Sequence, residues 1–72
     1  MTPAHCRAAR GWLRWTQQDL AERSGVSRSS ILWFENHSRP LDKQKATQIG
    51  LTFRSAGISF TDRGIEFASP AE

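Results

Sequence analysis

The helix start and stop signals between residues 16 and 36 constrain this chain more than any other feature of its sequence. Thr16 is followed three residues later by Asp19, which is close to the capping box that opens a helix. Gly25 favours the left-handed conformation that ends a helix, and Ser27 is a good N-cap for a second helix that runs to about Asn36. The segment is therefore predicted to form two short helices joined by a tight, glycine-containing turn.

Two further helices are expected on either side of this segment. Residues 4 to 14 carry apolar side chains at helical spacing. Pro40 stops any continuation of the helix before it, and Asp42 can cap a fourth helix from about Lys43 to Ala56. Gly57 is the natural residue to end that helix. The chain up to this point is thus predicted to form a mainly α, four-helix domain.

The hydrophobic period changes after the fourth helix. Apolar and polar residues alternate over 58–61 and 65–67, on either side of Asp62-Arg63-Gly64. A short C-terminal β-hairpin or strand is the simplest interpretation. The last residues, 69–72, are expected to be frayed.

Composition limits the functions that such a chain can carry. Its 72 residues suffice for one small domain, and its single cysteine excludes an internal disulfide. No closed zinc site, Gly-rich phosphate loop or catalytic Ser/His/Asp set emerges, so we expect neither an enzyme nor a bound cofactor or metal. Lys and Arg outnumber Asp and Glu to give a net charge of +3, which mildly favours a polyanionic partner. Since there is no long apolar run and no signal-peptide pattern, we expect a cytoplasmic protein without a membrane partner.

The segment around the turn resembles a known family. Ala21, Gly25 and Ile31 hold the spacing that lets two helices cross in a helix-turn-helix. The residues that carry the resemblance are Arg7-Ala8-Ala9-Arg10, the run from Trp15 to Ile31 and Phe34-Glu35-Asn36. Over about residues 6 to 57 the chain is similar to the Cro/phage-repressor-type helix-turn-helix proteins, the Xre family.

The resemblance implies both an architecture and a partner. It predicts a four-helix, phage-repressor-like helix-turn-helix domain at residues 1–57 and a C-terminal β segment with a frayed tail at residues 58–72. The third helix, residues 28–36, would enter the major groove of double-stranded DNA. The first residues of such a helix meet base edges.

The resemblance also implies which residues contact DNA, position by position. The candidate base contacts are Arg28, Ser29, Gln17 and Trp33. The candidate phosphate contacts, at a helix start or beside the end of the third helix, are Ser27, Asn36, Arg39 and Lys43. Arg28 can bind the O6 and N7 atoms of a guanine with two hydrogen bonds.

The resemblance also implies an internal ion pair. In the family, an arginine at the position of Arg10 pairs with a glutamate at the position of Glu35 and ties the first helix to the end of the third. We therefore expect Arg10 to have a structural role instead of a contact with DNA.

Leu32 and Trp33 depart from the family, which usually places polar or basic side chains at these positions. Both are expected on the exposed face of the third helix, because Ile31 and Phe34 face inward. Three explanations stay open: contact with thymine methyl groups, packing against the loop before the fourth helix, or binding to another protein.

The hairpin allows two alternatives for assembly. Its apolar side chains could cover Trp12 and the fourth helix within one chain, or they could form a sheet across a two-fold axis of a symmetric dimer. We favour the dimer, since a single domain of this type reads few base pairs. The candidate surface for a second copy or a partner consists of Trp12, Leu32, Ile58, Phe60, Ile65 and Phe67.

Together these observations predict a dimeric, sequence-specific DNA-binding transcriptional regulator that reads a palindromic operator, a repressor more readily than an activator. The alternative is a protein-binding module on the same fold, an antiactivator or antitoxin-like partner. That module would use Leu32 and Trp33 to bind another regulator.

Overall fold

The helices and strands follow one another in the predicted order. The structure is a computed structural model, and it describes residues 1–67. The elements are α1 (Pro3–Leu13), α2 (Gln17–Ser24), α3 (Arg28–Glu35), α4 (Lys43–Ser55), β1 (Ile58–Thr61) and β2 (Gly64–Phe67). The prediction of a mainly α, four-helix domain followed by a β-hairpin is confirmed. The tail that was expected to fray, residues 69–72, lies outside the described residues.

Each helix begins after a side chain that caps it. The side-chain oxygen of the capping residue accepts a hydrogen bond from the backbone N–H three residues later, which satisfies one of the free donors at a helix start. The four caps are Thr2, Thr16, Ser27 and Asp42. The caps at Thr16, Ser27 and Asp42 are confirmed predictions, and a cap of this kind stabilises a helix by about 1 kcal/mol.

One small hydrophobic core joins the helices and the hairpin. Its largest fully buried side chains are Phe53, Leu20, Ile31, Ile49 and Ile58, with Cys6 from α1. Within this arrangement α3 contacts α1 and α2, while β1 contacts α4 and β2 contacts α1. One side of α3 is therefore enclosed by other helices, and the opposite side faces outward.

β1 and β2 pair antiparallel, and this pairing sorts their side chains onto two faces. Ile58 lies opposite Phe67, and Phe60 lies opposite Ile65. Paired residues share a face of the sheet, so these four apolar side chains lie together. The polar pair that alternates with them is exposed.

The apolar face of the hairpin packs on its own chain, as the first of the two alternatives for assembly describes. Phe67 lies against Trp12 with ring centroids 4.4 Å apart, and Phe60 lies against Phe53 at 5.8 Å. Ile58 is 1% exposed. Ile58 therefore does not lie on the surface that was expected for a second copy, because the core of its own chain encloses it. Dimer formation itself stays a prediction.

Candidate nucleic-acid interface

The turn between α2 and α3 sets the position of α3. Gly25 has a φ of 77°, a left-handed conformation that costs glycine little and ends α2. Val26 is buried directly after it, and Ser27 then caps α3. The helix is thus anchored at its first turn, with Ile31 and Phe34 directed into the core.

The opposite side of α3 is open to solvent. Its exposed residues, which we name the outer face of α3, are Arg28, Ser29, Leu32, Trp33 and Asn36. Arg28, Leu32 and Asn36 follow one another at intervals of about one helical turn, so Leu32 lies between the other two. Leu32 and Trp33 are 40% and 38% exposed. The outer face therefore combines one cation with two large apolar groups.

Trp33 is packed against the loop that leads to α4. The guanidinium carbon of Arg39 lies 4.4 Å from the centre of the Trp33 ring, which is a cation–π contact. The backbone N–H groups of Ser38 and Arg39 both donate to the Trp33 carbonyl oxygen, at 2.8 and 3.2 Å. Of the three explanations for Trp33, packing against this loop is the one that the geometry displays. For Leu32 the alternatives stay open.

Three exposed cationic side chains lie on α3 or on the segment that follows it. Arg28 begins α3, Arg39 lies in the following loop, and Lys43 begins α4; all three are exposed. Within residues 1–67, none of them lies within 4.0 Å of a carboxylate oxygen. Each of these cations could therefore bind an anionic ligand without first breaking an ion pair in this part of the chain.

Two of the candidate phosphate contacts already take part in local hydrogen bonds. The Ser27 hydroxyl oxygen accepts from the Ser30 N–H at 3.2 Å, and Asn36 Oδ1 accepts from the Ser38 N–H at 3.0 Å. The amide nitrogen of Asn36 still carries two donor hydrogens for another partner. Contacts of Ser27 and Asn36 with phosphate stay a prediction.

The buried side of α3 carries its single acidic residue, Glu35, which is 4% exposed. Arg10 donates through Nη2 to Oε1 at 2.6 Å and through Nε to Oε2 at 2.7 Å. Gln17 Nε2 donates to Oε1 at 3.0 Å, and Cys6 Sγ donates to Oε2 at 3.0 Å. The ion pair between Arg10 and Glu35 that the resemblance implied is present, and two further donors join it.

This network sets the ionisation of its members. Burial alone would raise the pKa of Glu35, but the hydrogen bonds from Arg10, Cys6 and Gln17 outweigh burial and hold that pKa below its usual range. The hydrogen bond to Glu35 raises the pKa of Arg10, and burial raises the pKa of the Cys6 thiol. Glu35 is therefore charged and Arg10 is its counter-ion, while Cys6 is a buried, protonated side chain and not a reactive thiol.

The same side chains also hold backbone groups. Arg10 Nη1 donates to the Trp15 carbonyl oxygen at 3.0 Å, and Arg7 Nη1 donates to the Glu35 carbonyl oxygen. The second bond satisfies one of the carbonyl groups that have no partner at the end of a helix. The C-terminal end of α3 is thus fixed to α1 through both the side chain and the backbone of Glu35.

A comparison with known families agrees with this geometry. The model of the Helix-turn-helix family (HTH_3) matches residues 7–51, more than half of the chain. The chain belongs to this family. Its members are Cro/C1-type, Xre-like DNA-binding regulatory domains, and the family is not one of enzymes. No curated protein matches the sequence.

The matched region of this helix-turn-helix protein contains the turn at Gly25, the outer face of α3 and the pair of Arg10 and Glu35, and it leaves the hairpin outside. Among residues 1–67, no helix has the length and apolar character needed to cross a membrane.

The sequence did not predict the contacts that Gln17 makes with Glu35 and Arg39 makes with Trp33. Gln17 is a candidate base contact, yet its amide nitrogen is bound to the buried Glu35, so its contact with a base stays a prediction. Arg39 and Trp33 are six residues apart, a spacing that does not bring side chains together on a helix. They meet because His37 has a left-handed φ of 65°. Histidine adopts that conformation more often than most residues but still only rarely, so the sequence does not specify it.

Proposed function

We propose that this chain is a sequence-specific DNA-binding transcriptional regulator whose α3 enters the major groove. The separation of charge across α3 carries the proposal. The one acidic residue of the helix, Glu35, is buried and paired with Arg10, so the outer face presents Arg28 and no carboxylate. A groove bordered by phosphates repels carboxylates, and this arrangement keeps the acidic group of α3 away from it.

Arg28 and Ser29 carry the direct readout of bases in this proposal. They lie in the first turn of α3, the part of a groove-binding helix that meets base edges. The Arg28 guanidinium fits the O6 and N7 acceptors of guanine, and a bidentate contact of this kind is worth about 1–3 kcal/mol of discrimination. Leu32 lies one turn further along the same face, where the methyl group of a thymine offers an apolar contact.

Arg39 and Lys43 bind the DNA backbone beside the end of α3. Both are exposed, and within residues 1–67 neither has a carboxylate partner. Phosphate contacts fix the register and orientation of the protein on DNA without reading its sequence. Ser27 and Asn36, at the two ends of α3, complete the proposed set of phosphate contacts.

Selection of bound fragments from a random DNA pool, followed by titration against salt, tests the proposal. With about three to five phosphates neutralised per protomer, log K falls against log salt with a slope of about −3 to −5 per protomer. Arg28→Ala relaxes base preference at one position, whereas the matched charge removal Lys43→Ala weakens all sequences alike and reduces the slope by about 1. An affinity that does not change with salt, or no DNA retained at low salt, contradicts the proposal.

A dimeric repressor on a palindromic operator is the finer form of this proposal. Two copies double the contacts, because each presents one α3 to one half-site. Each hairpin strand keeps one edge without a partner strand within the described chain, and Trp12 is 53% exposed where it packs on Phe67 of β2. These features support pairing with a second copy. Sedimentation equilibrium over a range of protein concentrations tests dimer formation. A mass equal to that of one protomer at every concentration, together with selection of single half-sites from the DNA pool, argues against a dimer.

A protein-binding module on the same fold is the second candidate, and the exposure of Leu32 favours it. An apolar side chain on an open helix face is typical of protein contacts as well as of thymine contacts. The Trp33 ring already lies against Arg39, and Leu32 is 40% exposed on the same face. Leu32→Gln would then abolish capture of the partner and leave DNA binding intact. Loss of base preference in this variant favours the regulator instead.

A further inference from the structure

The loop between α3 and α4 folds back over the end of α3. His37 has a left-handed φ of 65°, which turns the chain just after the helix. The N–H groups of Ser38 and Arg39 then both donate to the Trp33 carbonyl oxygen, and Asn36 Oδ1 also accepts from the Ser38 N–H. Arg39 is thereby brought next to a residue six positions earlier in the chain.

The Arg39 guanidinium lies over the Trp33 indole, with its carbon 4.4 Å from the ring centre. In the part of the chain that the structure describes, no carboxylate oxygen lies within 4.0 Å of this group. A guanidinium above an aromatic face keeps N–H donors free at its edge, and the planar fork of donors matches the oxygens of a phosphate. The stack thus holds a long, flexible cation without occupying the donors that would bind an anion.

A second arginine–tryptophan stack in the molecule has a different setting. Arg23 lies 4.6 Å from the centre of the Trp15 ring, and that ring also stacks on the buried Phe53 at 5.9 Å. Trp15 is therefore fixed by the core, whether or not its arginine is present. Among the aromatic pairs of residues 1–67, Trp33 takes part in none, and its ring is contacted by Arg39.

We propose that Trp33 is a positioning residue whose indole presets the Arg39 guanidinium beside the end of α3, where it binds a DNA phosphate. The inference rests on the proposed DNA-binding function and gives Trp33 a part in backbone binding instead of base reading. Presetting matters because an arginine that is already ordered loses less conformational freedom when it meets the phosphate. An aromatic residue in place of Trp33 keeps the cation–π contact with Arg39, whereas an aliphatic residue keeps an apolar side chain there but loses that contact.

A double-mutant cycle on the DNA selected from the random pool tests the inference. Wild type, Trp33→Leu, Arg39→Gln and the double variant are measured by fluorescence anisotropy at several salt concentrations. Arg39→Gln reduces the salt slope by about 0.9. While Arg39 is present, Trp33→Leu weakens DNA binding about two- to fivefold, which corresponds to the energy of an exposed cation–π contact. In the Arg39→Gln background, Trp33→Leu causes no further loss of affinity.

Two single variants serve as controls for the cycle. Trp33→Phe keeps an aromatic face and retains most of the wild-type affinity. Arg63→Gln removes the same charge from the turn between β1 and β2, and it leaves the affinity unchanged apart from a small, uniform electrostatic loss.

Each failure has a distinct meaning. An equal loss for Trp33→Leu in both backgrounds overturns the inference, since Trp33 would then touch DNA itself. A changed base preference in Trp33→Leu overturns it for the same reason. If wild type retains no DNA at low salt, the proposed function and the inference fail together. If the wild type binds DNA but the effects of the two substitutions simply add, the inference is overturned and the proposed function stands.

The stack is also measurable without DNA. In the free wild-type protein, ring currents shift the Cδ–H proton resonances of Arg39 upfield. This shift vanishes in Trp33→Leu and persists in Trp33→Phe. Unshifted Arg39 resonances in the wild type overturn the inference at its first step, whatever the result with DNA.

Discussion

The charged side chains on the two sides of α3 have opposite environments. On the inner side, Glu35 is 4% exposed and accepts hydrogen bonds from Arg10, Gln17 and Cys6. On the outer side, Arg28 is exposed and has no carboxylate partner within residues 1–67. Both groups belong to one eight-residue helix, so the difference comes from what packs against each side.

This comparison shows where the positive charge of the chain can act. The net charge of +3 counts both Arg10 and Glu35, which neutralise each other inside the molecule and present no charge to a partner. In the proposed complex, the charge that DNA meets comes from the exposed side chains of Arg28, Arg39 and Lys43. The distribution of the charged groups is therefore more informative than their sum.

Removing the cation of the buried ion pair on the inner side of α3 should have the largest effect on stability. Arg10→Ala leaves the Glu35 carboxylate buried without its counter-ion, and we expect the free energy of unfolding to fall by about 3–5 kcal/mol. A domain of this size holds only about 3–5 kcal/mol in total, so the variant should be largely unfolded at room temperature. Urea unfolding followed by circular dichroism measures the change.

Arg54→Ala is the matched control for this variant, because Arg54 is exposed in the last turn of α4. We expect it to change the free energy of unfolding by no more than about 0.5 kcal/mol. If the two variants were equally stable, the inner ion pair would contribute no more than an ordinary surface charge.

Lowering the pH should reduce the stability that the buried ion pair on the inner side of α3 contributes. The pKa of Glu35 is lower in the folded chain than in the unfolded chain, where a glutamate has a pKa of about 4.3. The stability that ionised Glu35 contributes is fully present above that pH and is lost as the pH falls through the folded pKa. Thermal unfolding measured across the acid range should show this decrease.

Glu35→Gln separates this contribution from that of other carboxyl groups. The hydrogen bond from the Thr16 N–H lowers the pKa of Asp19, which therefore contributes in the same direction. The variant should lose part of the acid dependence and keep the part that belongs to Asp19. Undiminished acid dependence in Glu35→Gln would mean that the buried carboxylate is not the group that responds.

The smallest effect is expected on the outer side, where Leu32 meets a thymine methyl group in the proposed complex. Replacing one contacted thymine by uracil removes that methyl group and should weaken wild-type binding about fourfold, the equivalent of about 0.8 kcal/mol. Leu32→Ala should bind the two DNAs with nearly equal affinity. Anisotropy titrations measure both proteins, with a uracil outside the half-site as the control.

Similar thymine-to-uracil ratios for wild type and Leu32→Ala would remove the thymine contact from the proposal. In that case the exposed leucine would fit the protein-binding alternative better. Base preference at the position assigned to Arg28 would be unaffected by either result.

The elements of this fold could be predicted from short-range signals. Thr16, Ser27 and Asp42 each cap the helix that follows, and Gly25 ends α2 in the left-handed conformation. Each signal acts between residues a few positions apart, so it can be read without knowing the packing. The alternation of apolar residues after Gly57 predicted the hairpin for the same reason.

The candidate site was predictable only in part. The family resemblance implied that Arg10 pairs with Glu35, and this pair is present. Nothing in the sequence indicated that Gln17 and Cys6 would join it, because their approach to Glu35 depends on how the helices pack. The stack of Arg39 on Trp33 was also hidden, since it depends on the backbone conformation of His37.

By itself the sequence determined the four helices, the turn at Gly25, the hairpin and the family of this chain. Only the tertiary structure decided which further donors bind Glu35, where Arg39 lies and whether the hairpin covers its own chain. The donors to Glu35 lie 18 to 29 residues away along the chain, so their convergence depends on how α1, α2 and α3 cross. Burial makes this convergence necessary, because a charged group is stable in the core only when a partner of opposite charge and further hydrogen-bond donors meet it there.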